Sequence, residues 1–176
     1  MIVMRNTLLP AVATLLLVVS TAQAAEQDTV QAVIPWEAEG QVFQVDTNTM
    51  LFLGSLKGVM YIESSRGEMH EAFVQCPVMQ ELDMESGKTE ATGRCEITAS
   101  DSSVAYAELS CKGEVGNCDG KFKLTSGAGE LAGISGSGNL RIRSPMRALI
   151  ADMGSGAILR VGAGLAVIKD LKYRIP

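Results

Sequence analysis

Between Met69 and Leu124, small or apolar residues recur at every second position, and all four cysteines fall on that phase. The runs are His70, Ala72, Val74, Cys76, Val78; Ala91, Gly93, Cys95, Ile97; Ala105, Ala107, Leu109, Cys111; and Cys118, Gly120, Phe122, Leu124. The opposite phase holds Glu90, Arg94, Glu96, Glu108, Lys121 and Lys123. A period of two sends alternate side chains to opposite faces of a strand, so one face of a sheet is dry and carries the sulfurs. Turn signals at Ser65-Arg66-Gly67, Ser86-Gly87 and Ser100-Asp101-Ser102-Ser103 separate the runs. Shorter runs at Gln41 to Val45, Met50 to Leu53 and Val59 to Glu63 add strand candidates. Ala157 to Ile168 and Leu171 to Ile175 read the same way. The expected fold is all-β, a single antiparallel barrel of about eight to ten strands over residues 35–176.

One helix is expected in this frame, over 145–153. Ser144 caps it, Pro145 takes its first position, Met146, Leu149, Ile150 and Met153 follow helical spacing, and Gly154 ends it. Residues 25–34 read as a flexible entry segment.

The glycine-rich stretch 113–138 carries Phe122-x-Leu124, then Gly127-x-Gly129, then Gly133-x-x-Gly136. It resembles the closing hairpin of the small eight-stranded barrels of dirigent proteins and allene oxide cyclases. The resemblance departs from that pattern at Leu131, where those families place an aromatic residue. It implies a barrel and no more, because no catalytic residue of either family has a counterpart here and fold does not carry function. A dinucleotide-binding reading of the same glycines fails, since that motif needs a helix after its loop. Glycines here allow tight turns and close strand approach.

Residues 1–24 read as a signal peptide: Arg5, an apolar run from Leu8 to Val19 interrupted by Pro10, then Ala22-Gln23-Ala24 as the cleavage site. The run is shorter than the roughly twenty residues that span a bilayer. The expected protein is exported, periplasmic or secreted. In that setting Cys76, Cys95, Cys111 and Cys118 form disulfides. Of three pairings, the turns between them favour Cys76–Cys95 and Cys111–Cys118. With one histidine and no Cys-x-x-Cys, zinc is a poor alternative; no metal and no cofactor is expected.

Removing 24 residues leaves 14 basic and 20 acidic side chains, a net charge of −6. That balance argues against nucleic acid as partner. Residues 141–176 nevertheless hold seven basic and two acidic side chains. Arg141, Arg143, Arg147, Arg160, Lys169, Lys172 and Arg174 there either mark an anion-facing end or balance the acidic half. Lys121 and Lys123 share an outward phase, as do Arg141 and Arg143. A strand over Glu130 to Ile134 would separate the two pairs; otherwise the four form a contact for an anionic surface.

No set of residues reads as catalytic. His70 is a lone candidate base with Glu68 and Glu71 nearby, and more simply a strand-end residue. Glu81, Asp83 and Glu85 read as a solvated acidic turn rather than a calcium loop. Gly154-Ser155-Gly156 is not a nucleophile elbow. The leading function is therefore binding of a small hydrophobic molecule or lipid inside the barrel. A structural or partner-binding envelope protein comes second, because the inward phase is rich in small residues and a filled lumen would exclude a carrier. A cyclase or isomerase comes third.

Overall fold

A computed structural model describes residues 26–145 and 158–176. Eight strands form a closed antiparallel barrel in sequence order. They are β1 (Glu26–Gln44), β2 (Thr49–Glu63), β3 (Met69–Asp83), β4 (Lys88–Ala99), β5 (Val104–Glu114), β6 (Asn117–Ala128), β7 (Ser135–Arg143) and β8 (Ile158–Ile175). β1 pairs with β8 from Glu26↔Ile175 to Gln41↔Ile158, which closes the wall and leaves no free edge. The expected helix at 145–153 lies outside the described residues apart from Pro145, as does the expected signal peptide.

Three expectations are corrected. Residues 26–34 are the first half of β1 rather than a loose entry, because Val30, Ala32 and Ile34 alternate into the core. The runs at Met50 to Leu53 and Val59 to Glu63 are two ends of one strand, β2. Gly54 and Gly58, which interrupt its hydrophobic text, sit where backbone crowds the wall. A Cβ on Gly54 would lie 2.9 Å from Gly40 Cα, and one on Gly58 would collide with the Pro35 carbonyl. Finally, Glu130 to Ile134 is not a strand. A 3-10 turn at Gly129–Leu131 lets β6 pair directly with β7. Like charges do not meet, because the register sets Lys121 against Asn139, Lys123 against Ser137 and Asp119 against Arg141.

Both disulfides tie neighbouring strands on the inward face: Cys76–Cys95 joins β3 to β4, and Cys111–Cys118 joins β5 to β6. Their Cα atoms are 4.1 and 5.4 Å apart. Inside, bulky residues are set against glycines on the adjoining strand. Trp36 faces Gly58 and Gly164, Leu109 faces Gly93, and Phe122 faces Gly138. Large beside small is how a narrow barrel fits side chains into its lumen.

The two flanks of the outer surface differ. Across β4 to β7 it carries ladders of alternating charge: Glu90, Lys112, Asp119, Arg141 in one row, and Arg94, Glu108, Lys123 in another. Ion pairs at 2.9 Å (Glu90–Lys112), 3.1 Å (Arg94–Glu108) and 2.9 Å (Asp119–Arg141) run along these rows. Across β8, β1, β2 and β3 the surface instead carries an apolar patch among charged neighbours such as Glu37 and Lys57. Val33 lies between Tyr61 and Val167, Pro35 is opposite Leu165, and Val59 is opposite Phe73.

Candidate functional site

The barrel has an open end and a stitched end. At the stitched end, backbone hydrogen bonds link successive loops: Met84 N–H to the Asn48 carbonyl (2.7 Å), Val115 N–H to Gly87 (2.9 Å) and Ser144 N–H to Gly116 (2.9 Å). At the other end, the β2–β3, β4–β5 and β6–β7 connections surround a cup of about 750 Å³. Its size lies within the range of about 300–1,000 Å³ typical of small-molecule sites.

The cup exists because inward positions near this end are short. Ala72, Ala99 and Ala105 line it where larger side chains would fill it. Val30, Ile97, Leu124 and Leu171 supply aliphatic wall, and Met60 and Phe122, each 2% exposed, close the bottom. Below Phe122 lies a void of about 30 Å³, and beyond that a chamber of about 60 Å³ at the stitched end. Phe122 borders both the cup and the void, while Trp36, Leu56, Leu109 and Ile142 border both the void and the chamber.

The rim is polar and mostly acidic. Asp28, Glu68, Glu71 and Asp101 outnumber the one guanidinium there, Arg66, four to one. Arg66 is bonded to Glu68 at 3.0 Å, which leaves the remaining carboxylates to set the potential. A hydrogen bond from the Ser65 side chain, then one from the Thr29 N–H, holds the Asp28 carboxyl below its ordinary pKa. Asp101 is held down in the same sense, first by the Ser103 N–H and then by the Ser103 hydroxyl, each 2.9 Å away. The buried Ser103 hydroxyl also accepts the Glu130 N–H at 3.0 Å, tying the β4–β5 loop to the 3-10 turn. A rim of ionised carboxylates over an apolar well suits a molecule with an apolar body and a neutral or cationic end.

Among the residues singled out by sequence, His70 is exposed at the second position of β3 and lines the cup mouth. Asp83 accepts hydrogen bonds from the N–H groups of Glu85 (2.9 Å) and Ser86 (3.1 Å), and Glu85 accepts one from the Asn48 amide (2.9 Å). These are turn contacts. Among the described residues no group of histidine, cysteine or acidic side chains is placed to hold a metal ion. Lys121 donates to Asn139 at 2.7 Å, and Arg141 and Arg143 share Asp119 at 2.9 and 3.2 Å. Lys169, Lys172 and Arg174 follow one another along β8 opposite Asn139, Ser137 and Ser135, so these charges are spread down the wall rather than gathered at an end. Arg147 lies outside the described residues.

Sequence reasoning missed Asp28, Asp101 and Tyr173 as rim residues. The Asp101-x-Ser103 turn was a visible signal for one of them. Asp28 and Tyr173 meet the rim only because β1 and β8 close the barrel, pairing these two residues directly.

No protein-family model matches the chain, and neither does any curated protein or solved structure.

Proposed function

We propose that this protein is an exported binding barrel. It takes up a small molecule whose apolar body enters the cup and whose neutral or cationic end stays at the acidic rim. The cup of about 750 Å³, apolar inside and net negative at its mouth, carries the reading. Two disulfides support an oxidising, extracytoplasmic setting. The dirigent-like hairpin supports the barrel and adds nothing about the ligand.

Calorimetric titration with decyltrimethylammonium, decanol and decanoate tests it. The ammonium and the alcohol bind and the carboxylate binds least, and Ala105→Trp, which fills the cup, removes all binding. Tightest binding of decanoate, or none of the three binding, refutes the reading.

A second reading, a partner-binding envelope protein, is favoured by the apolar flank. Phe73, Tyr61 and Leu165 there are 49, 44 and 40% exposed. Single outward apolar side chains are ordinary, and a contiguous set on four strands is what supports this reading. Cross-linking in the native host separates the readings, since a partner captured through β2 or β3 favours the second.

A further inference from the structure

The chamber at the stitched end has a feature the cup lacks. Trp36 is 8% exposed, and its indole N–H is buried with no hydrogen-bond partner among the described residues. A buried donor without a partner is unfavourable, and native proteins seldom leave one. The ring is held where it is by its neighbours: a Cβ on Gly164 would come within 2.8 Å of Trp36 Cε2, so this glycine makes the space the indole occupies. Trp36 borders the chamber of about 60 Å³.

Of the other side-chain amides and hydroxyls on that chamber, Asn117 is exposed and the remaining three are engaged. The Gln80 amide donates to the Thr89 hydroxyl at 2.9 Å, the Thr89 hydroxyl to the Glu81 carbonyl at 2.7 Å, and the Ser144 hydroxyl to the Ala163 carbonyl at 3.0 Å. No charged residue lines the chamber among those described, and its walls include Phe52, Leu82, Ala91 and Ile142. A single water needs roughly 10–15 Å³, and an apolar cavity of about 150 Å³ holds benzene. The chamber falls between these sizes.

We infer that this chamber is a second binding site, separate from the cup, for a small neutral molecule with one acceptor. A ketone, aldehyde or ester carbonyl accepts the Trp36 N–H while a short hydrocarbon body packs on the aliphatic wall. The missing charge rejects carboxylates and amines, so this site selects a different chemistry from the acidic-rimmed cup.

The chain has one tryptophan, so a nitrogen–proton correlation spectrum contains one indole N–H signal. Titration of the intact protein with 2-butanone moves that signal downfield and saturates, while the amide signals of Ala72 and Ala105 in the cup stay still. The isosteric hydrocarbon 2-methylbutane gives no such downfield shift. Ala91→Leu, which fills the chamber and leaves Trp36 in place, abolishes the ketone response. Trp36→Phe weakens ketone binding at least tenfold in ligand-observed saturation transfer.

Three results overturn the inference. One is an indole signal that does not move, another is a shift that does not saturate, and the third is cross-relaxation from the indole proton to a long-lived water that the ketone does not displace. None bears on the cup, which is probed by alkylammonium binding.

Discussion

Replacing Phe122 by alanine probes the boundary between the cup and the space below it. Phe122 is 2% exposed and separates the cup from the void of about 30 Å³. Truncating a buried phenylalanine to alanine costs about 3–5 kcal/mol, the larger values where the hole stays empty. Here the hole opens into a cup that water or a ligand tail can enter, so the expected loss in urea unfolding is about 3 kcal/mol. The same hole lengthens the well. Each further methylene buried adds about 0.8 kcal/mol, roughly fourfold in Kd. Three additional methylenes would then strengthen binding by about 2.4 kcal/mol, roughly sixtyfold. Calorimetry across octyl- to tetradecyltrimethylammonium should show the chain length of tightest binding shifting upward in Phe122→Ala. At about a hundredfold excess over Kd, ligand should restore about 2.7 kcal/mol of the lost stability. A variant that loses stability but keeps the wild-type chain-length optimum would show that no tail reaches Phe122, and the cup reading would fail.

The other predictions concern the frame. The Cys76–Cys95 bridge spans 19 positions and Cys111–Cys118 spans 7, so loop-closure entropy gives them about 3.3 and about 2.5 kcal/mol. The Cys76→Ala/Cys95→Ala variant should therefore unfold at lower urea than Cys111→Ala/Cys118→Ala, and the reverse order would rule out chain entropy as the main cause. Gly164→Ala drives a methyl against the Trp36 ring and the Arg143 carbonyl, with an expected cost of about 1–3 kcal/mol and a change in Trp36 fluorescence. Unchanged emission and stability would mean the indole has room to move. Asp83 and Asp101 have lowered pKa values, Asp83 first through the Ser86 side chain and Asp101 first through the Ser103 N–H. A depressed folded-state pKa contributes stability that is complete above the unfolded value, near 3.8, and is lost as pH falls through the lower folded value. Stability should therefore hold from neutral pH to about 5 and fall below about 4, with a shallower fall in Asp83→Asn/Asp101→Asn; an acid limb unaltered by the double variant would contradict this. Asp119→Asn releases Arg141 and Arg143 from their shared carboxylate, and co-sedimentation with anionic vesicles should rise. It should fall again when Lys121→Glu and Arg143→Glu are added, and no rise would argue against an anion contact on this wall.

Local text and closure contribute differently to this protein. Alternation from Met69 to Leu124 already specified β3 to β6, which of their faces is dry, and the cysteine phase, because strand facing is a property of consecutive residues. The two disulfides sit on that face, each across a short turn, where neighbouring sequence could point to them. The chain could not announce its longer strands. The glycines at 54 and 58 look like breaks until Gly40 and Pro35 are seen pressing on them. Residues 26–30 acquire a strand partner only from β8, well over a hundred positions away, and β2 joins the pairing from Gln31 onward. The cavities belong wholly to the tertiary structure. A cup is the volume left when eight inward rows of unequal side chains meet, and no one row encodes it. Trp36 and Asp28 likewise take their roles from the strands that closure brings beside them.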